Sequence, residues 1–183
     1  MDDARILSLI KNRKTKEQGF RELVCSTKER LYWQIRRMVF SHEDADDLLQ
    51  EVYIKVFRNI SSFKGDSSLT TWIYRIAHNE TINFLNSKAA QKSLASVGLE
   101  LLTEEKLAHN SNIDSETIKR LMGKAIATLP DKQRAVFVMR YYDNVPFKEM
   151  EQIMQTTESA LKTSYHIAEK KIKEILASYE LNF

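Results

Sequence analysis

Four glycines and two prolines in 183 residues leave this chain almost nothing to turn with. Average usage would supply about 22, and a fold of many short strands needs such residues at its reversals. The expected fold class is therefore all-α. Hydrophobic residues make up 43% and charged residues 29% of the chain, so there is apolar material for one ordinary domain or two small ones. We find no run of some 18 apolar residues of the kind a membrane-spanning helix needs. The N-terminus, Met1 to Arg5, lacks the basic-then-apolar order of a secretory signal. A single cysteine, Cys25, excludes an internal disulfide and fits a reducing compartment. These features predict a cytoplasmic protein without membrane insertion.

Charge divides the chain in three. Residues 1–88 carry a net +3, residues 89–118 a net −3, and residues 119–183 a net +3. Two mildly basic segments flanking an acidic one suggest two helical modules and a connector. We place the first module at residues 1–90, the linker at 91–114 and the second module at 115–183.

Apolar spacing supplies the helices. Ile6, Leu7 and Ile10 mark a short N-terminal segment. Thr15-Lys16-Glu17-Gln18 has the order of a capping box, and Phe20, Leu23, Leu31, Ile35 and Val39 recur behind it at helical spacing as far as about Phe40. Cys25 is expected on the apolar side of that helix. Ser41 offers a fresh N-cap, with Glu43 and Asp44 at the positive end of a helix that buries Ala45, Leu48, Leu49, Val52 and Val56. After a polar loop at residues 61–68, a fourth helix runs from about Leu69 to Lys88 with Trp72 turned inward. Beyond the linker, Ile118, Leu121, Met122, Ala125 and Leu129 form an apolar stripe. Pro130 and Pro146 suit the first turns of two further helices, and the last helix spans about Glu158 to Ser178.

Three constellations stand out against this background. Asp44, Asp47 and Glu51 form an acidic stripe opposite the leucines of their helix. It reads as a solvated face steadied by a Glu51–Lys55 pair, as a divalent-cation site, or as a docking surface for a basic partner. The cation reading lacks a second ligand cluster or a companion histidine. Next, Arg75, Asn79, Asn83 and Asn86 share one face of the fourth helix. Asparagine costs a helix roughly 0.6 kcal/mol against alanine, a cost that base-reading amides would offset. Phe63, Trp72 and Tyr74 lie in or beside the preceding loop, where unstacked bases could lodge. The alternative is a polar outer face over a core tryptophan. Last, residues 146–172 read as a helix-turn-helix, with Thr157 capping a second helix that shows Ser159, Lys162, Thr163, His166, Lys170 and Lys171. Gln155 or Thr156 would then take the left-handed position that glycine often fills, at a cost of about 1 kcal/mol. A plain helical hairpin is the alternative there.

Nothing points to catalysis or to a cofactor. The four histidines are dispersed without metal spacing, and the four glycines form no phosphate loop.

Taken together, three stretches resemble the sigma factors of bacterial RNA polymerase, in the short extracytoplasmic-function (ECF) class. They are Asp44 to Tyr53, Phe63 to Asn79, and Leu129 through Tyr142 into Ala160 to Ala168. The resemblance implies docking of Asp44, Asp47, Gln50 and Glu51 on the coiled-coil of the largest polymerase subunit, with the flap as a second contact on the core enzyme. It implies that Phe63, Lys64, Ser67, Trp72, Arg75, Asn79 and Asn83 read and open the promoter's minus-ten element. Ser159, Lys162, Thr163, Ser164, His166 and Lys170 would enter the major groove of the minus-thirty-five element. It further implies an anti-sigma factor as a partner. Where many members carry a run of arginines, this helix has Ser164, Ile167 and Glu169, so phosphate attraction should be weaker. A helix-turn-helix repressor or activator working without polymerase, or a helical adaptor that binds no DNA, are the rival classes.

Overall fold

A computed structural model of the chain describes residues 2–87 and 115–179. Those residues form eight α-helices and one 3-10 turn. In chain order the helices are α1 (Asp3–Lys11), α2 (Lys16–Val39), α3 (His42–Asn59), α4 (Leu69–Leu85), α5 (Ser115–Ala127), α6 (Asp131–Tyr141), α7 (Phe147–Met154) and α8 (Glu158–Ala177). The 3-10 turn, Ile60–Ser62, follows α3 directly. The expected linker at residues 91–114 lies outside the described residues.

In the first module, α2 packs against α1, α3 and α4. Leu23, Leu31, Ile35, Ala45, Leu48, Val52, Leu69 and Ile73 meet there, all buried. Burial of each large aliphatic side chain is worth about 1.5–3 kcal/mol, so this contact holds the module together. In the second module α8 closes over α5, α6 and α7, burying Leu121, Phe137, Met150, Ile153, Leu161, Ala168 and Ile172.

Local signals place most helix ends. Ser41 Oγ accepts from Asp44 N at 3.2 Å, Ser68 Oγ from Thr71 N at 3.0 Å, and Thr157 Oγ1 from Ala160 N at 3.4 Å. The expected capping box at Thr15 does not form. Its hydroxyl donates instead to the Leu9 carbonyl at 2.8 Å, and Gln18 turns to Glu22 at 3.3 Å. The cause is tertiary: α1 folds back onto α2, and its last carbonyls compete for the Thr15 hydroxyl. Pro130 and Pro146 sit at the N-cap, one residue ahead of the first turn. Cys25 is exposed, contrary to expectation, because Leu23 and Thr27 take the inward positions around it.

Two independent modules on a connector would need no contact with each other, yet these two are packed together. α2 meets α6, and α4 meets α7. Gln34, Met38, His78 and Thr81 face Ala135, Val138 and Met139 across a seam that leaves a cavity of about 10 Å³. Burial, helped by the Lys132 cation, pulls the His78 imidazole down from its ordinary 6.5 to about 4. Across the same seam Asp143 is pushed up to about 6 by burial, which outweighs the attraction of Arg37 and Arg30.

Two predictions follow from the packing. A Cβ at Gly19 would lie 2.7 Å from Leu9 Cβ and 2.9 Å from Ile10 Cγ1, whereas one at Gly123 would meet nothing within 4 Å. Gly19→Ala should therefore destabilise by about 1–3 kcal/mol, and Gly123→Ala should stabilise by about 0.5–1 kcal/mol; denaturant midpoints of the two variants should move in opposite directions. His78 is held neutral in the folded chain, so its contribution is present above pH 6.5 and is lost as pH falls toward 4. Asp143, with a raised value, contributes in the opposite sense between about 4 and 6. Melting curves should show that His78→Gln loses less stability than wild type between pH 7 and 5.

Candidate nucleic-acid interface

The acidic stripe is built by α3. Ala45, Leu48, Leu49, Val52 and Val56 are buried, so the helix must turn its other side outward. Asp44 is half-buried, and Asp47, Gln50 and Glu51 are exposed. The Glu51–Lys55 pair expected from i,i+4 spacing is absent. Lys55 crosses to Glu80 on α4 instead, because α3 and α4 pack side by side. Among the described residues, Glu51 and Asp47 therefore form no ion pair. The same face continues into Ile54 and Phe57, which are 50% and 40% exposed. Lys16 sits 4.3 Å from the Phe57 ring centre, and Phe20 packs edge-on against that ring at 5.0 Å. Residues 47, 50, 54 and 57 fall at offsets 0, 3, 7 and 10, a single stripe that is acidic at one end and apolar at the other. The spacing carried that signal, although only its acidic half stands out among the apolar residues of the helix.

The second surface starts at the loop before α4. Gly65 takes φ +83°, the left-handed region that favours glycine, with open space where a side chain would be. Phe63 and Trp72 lie 5.5 Å apart, ring centre to ring centre, at a 58° tilt. Both are half-buried, so Trp72 is less inward than expected and keeps part of its ring at the surface. Ser68 caps α4, and Asp3 from α1 reaches across to accept from the Leu69 amide at 2.7 Å. Tyr74 points into the core, and its phenol is pushed up by burial. Along the helix Arg75 is half-buried, whereas Asn79, Asn83 and Asn86 are exposed on one face. Lys64 is exposed and Ser67 half-buried at the loop end of that surface. The residues singled out from sequence thus form one continuous strip of aromatics, amides and a guanidinium.

The third surface is a helix-turn-helix. α7 ends at Gln155, which adopts φ 51° and ψ 45°, so the left-handed turn is made by a glutamine at the cost anticipated from sequence. Thr157 then caps α8, and Glu151 on α7 accepts from the Glu158 amide at 2.6 Å. These bonds fix the angle between the two helices. Tyr165 stacks on Phe137 at 5.8 Å and meets Phe147 edge-on at 5.8 Å, which locks α8 to the rest of the module. Ser159, Lys162, Thr163, His166 and Lys170 face outward, with Ser164 half-buried.

Charge on α8 is more balanced than its lysines suggest. Lys162 Nζ lies 2.6 Å from Glu158, His166 Nδ1 3.7 Å from Glu169, and Lys170 Nζ 3.9 Å from Glu174. The hydrogen bond from Lys173, with help from His166, holds the Glu169 carboxyl below its ordinary range. Lys162 and Lys170 each therefore face a carboxylate of their own helix. Among the described residues no group of three metal-ligating side chains occurs, and no helix is long and apolar enough to cross a membrane.

Comparison with known proteins matches these surfaces in order. The family model for sigma-70 region 2 matches residues 23–91, and the model for sigma-70 region 4 matches residues 119–172. The ECF RNA polymerase sigma factor SigW of Bacillus subtilis (strain 168) is 27% identical over 173 residues, covering 90% of this chain and 92% of its own. The ECF RNA polymerase sigma-E factor of Escherichia coli (strain K12) is 30% identical over 146 residues, covering 75% of this chain and 76% of its own. Among solved structures, CnrH in complex with the cytosolic domain of CnrY superposes with a TM-score of 0.70 at 16% identity, over 96% of this chain and 97% of that one. The sigma factor RpoE of Bartonella quintana, in complex with the anti-sigma factor NepR, gives 0.64 at 18% identity, over 87% and 98%. Those two likenesses concern the fold.

Proposed function

This chain belongs to the extracytoplasmic-function sigma factors of bacterial RNA polymerase, and from that premise we propose how its surfaces divide the work of promoter-specific transcription initiation. It works with core RNA polymerase on promoter DNA; a repressor or activator acting alone is not favoured. Residues 1–90 dock on core polymerase and read the minus-ten element, residues 91–114 connect, and residues 115–183 read the minus-thirty-five element. The chain provides no chemistry of its own, and its place of action is the cytoplasm.

The observation that carries this division is the α3 face, where Asp47 and Glu51 lack ion pairs among the described residues and lie beside exposed Ile54 and Phe57. Large apolar side chains next to unpaired acids mark a surface made for a partner. Asp44, Asp47, Gln50 and Glu51 meet a basic coiled-coil of the polymerase, and Ile54 and Phe57 supply an apolar anchor that the acids alone lack. On α4, Arg75, Asn79 and Asn83 offer donors and acceptors to base edges, while Phe63, Trp72, Lys64 and Ser67 line the pocket for an unstacked base. Paired bases cannot make such contacts, so binding them favours the open duplex. On α8, Ser159, Lys162, Thr163, Ser164, His166 and Lys170 enter the major groove.

With Lys162, Lys170 and Lys173 already paired to glutamates, α8 binds duplex DNA weakly on its own. Tethering to polymerase makes its contact effectively intramolecular. The flap is the second hold on the core enzyme, engaging the second module. An anti-sigma factor is the further partner, in keeping with the complexes in which CnrH and Bartonella RpoE were solved.

Gel filtration with core polymerase tests the docking face, and a salt titration of promoter binding by the holoenzyme tests α8. Glu51→Lys should weaken core binding by about tenfold or more, roughly 1.4 kcal/mol, and leave promoter selectivity intact in whatever complex forms. Lys162→Ala should leave core binding unchanged, weaken promoter binding several-fold and lower the salt slope by about one. Equal losses in both assays for both variants would overturn the division.

A further inference from the structure

The end of α2 and one side of α5 border a cleft of about 620 Å³, within the range of roughly 300–1,000 Å³ typical of small-ligand sites. Three rings line it: Trp33 on α2, Phe40 just past that helix, and Tyr142 just past α6. Three cations stand among them, Arg36 and Arg37 on α2 and Lys119 on α5. No carboxylate lines the cleft among the described residues. At its rim the His42 ring bonds to the Tyr32 hydroxyl through Nδ1 and sets Nε2 3.7 Å from Asp46. None of these residues belongs to the surfaces assigned to polymerase docking or to promoter reading.

Packing explains only part of this arrangement. Trp33 is 48% exposed. Tyr32 meets its ring edge-on at 5.3 Å and the Arg37 guanidinium lies 5.7 Å from its centre, so the ring is positioned while half of it stays open. Arg37 is held from behind: its guanidinium is 4.0 Å from the centre of the Tyr142 ring, and Nη1 is 3.9 Å from Asp143 Oδ1. Asp143 is buried and does not line the cleft. Arg36 is half-buried and forms no ion pair among the described residues. A cation in the last turn of α2 suits the helix dipole, which accounts for a basic residue there but not for the open rings beside it. Gly123 faces the cleft from α5 with Lys119 and Ile126, at offsets 0, 4 and 7. Glycine inside a helix costs about 0.8–1.0 kcal/mol, and a Cβ here would meet nothing within 4 Å. The packing of the chain therefore does not require it, whereas a ligand approaching the backbone would.

The chemistry of the lining selects among ligands. Guanidinium groups without a carboxylate in the cleft call for an anion, and their planar fork matches phosphate oxygens. Open ring faces call for a flat aromatic partner, since stacking on tryptophan needs no particular hydrogen-bond pattern. An acidic peptide would use the cations and leave the rings without a partner. A hydrocarbon would use the rings and strip water from the cations, which is costly. A base joined to several phosphates uses both.

We infer that this cleft binds a nucleoside di- or triphosphate, with the base stacked on Trp33, the phosphates on Arg36 and Lys119, and Gly123 keeping the opposite wall clear. The site goes beyond the sigma-factor reading and does not depend on it. Its residues come from both modules, so a bound nucleotide stabilises the folded chain by mass action. The same chemistry occurs in a single strand of nucleic acid, which also offers bases and phosphates; a free nucleotide is the occupant that a bounded cleft of this volume fits.

Calorimetric titration of the full chain tests this, with ATP, GTP, inorganic tripolyphosphate and a single-stranded oligothymidylate of about ten nucleotides as probes. ATP or GTP should bind one per chain with a Kd below about 1 mM, more tightly than tripolyphosphate or the oligonucleotide, and should raise the melting temperature. Trp33→Ala should weaken nucleotide binding about fivefold or more and leave tripolyphosphate binding unchanged. Arg36→Ala should weaken both by about tenfold or more. Gly123→Leu, which alters no charge and favours the helix, should weaken nucleotide binding by filling the cleft. Helical content and a cooperative melt equal to the parent's exclude unfolding as the cause. Absence of nucleotide binding in that range, tripolyphosphate binding as tightly as the nucleotides, or undiminished affinity in Arg36→Ala and Gly123→Leu would overturn the site. Tighter binding of the oligothymidylate would overturn the free nucleotide and give the cleft to a single strand.

Discussion

The packing of α2 is the contact on which the rest depends. One face of this 24-residue helix buries Leu23, Leu31, Ile35 and Val39, and against it lie α1, α3 and α4. A helix of that length spans about 36 Å, and its buried positions run from Gly19 to Val39. The other side of its C-terminal half is what the second module uses: Arg30 and Arg37 reach Asp143, Met38 enters the seam, and Phe40, just past the helix, lies 5.3 Å from the Arg134 guanidinium. With α3 and α4 anchored on one side of α2, their outer faces are committed to solvent, and those are the faces with unpaired acids and with amides.

Much of this was legible in the chain because the signals are local. Apolar spacing alone placed α3, α4 and α8 to within a few residues, and the caps at Ser41 and Thr157 formed as their chemistry suggests. The left-handed turn at Gln155 was also legible, since two helical stripes met there with no glycine between them. The misplaced residues share a different character. Thr15 bonds to a carbonyl six residues earlier, Lys55 finds a glutamate twenty-five residues later, and Cys25 is turned out by the demands of its neighbours. In each, a tertiary partner outcompeted the partner that spacing alone would choose. The seam between modules is the extreme instance: its residues are ordinary members of their own helices, and no period in the sequence distinguishes them.

The recognition helix shows why composition underdetermines binding. Lysines at 162, 170 and 173 are all matched by glutamates four residues away. Exposed pairs of this kind are worth about 0.2–1 kcal/mol each, small enough for a phosphate to displace yet large enough to lower non-specific attraction. On the proposed reading, a sigma factor without an arginine run gains little from the DNA backbone, and short side chains such as Ser159 and Thr163 are left to carry selectivity once the helix is seated. Seating in turn depends on the other contact points.

That dependence gives the polar seam its physical sense. An all-apolar interface between the modules would behave as a domain core and resist separation, because each large aliphatic side chain exposed on opening costs about 1.5–3 kcal/mol. Here the apolar patch is small, and the polar groups around it are only partly satisfied, as the unpartnered Asp143 Oδ2 indicates. Such an interface is specific in geometry but shallow in free energy.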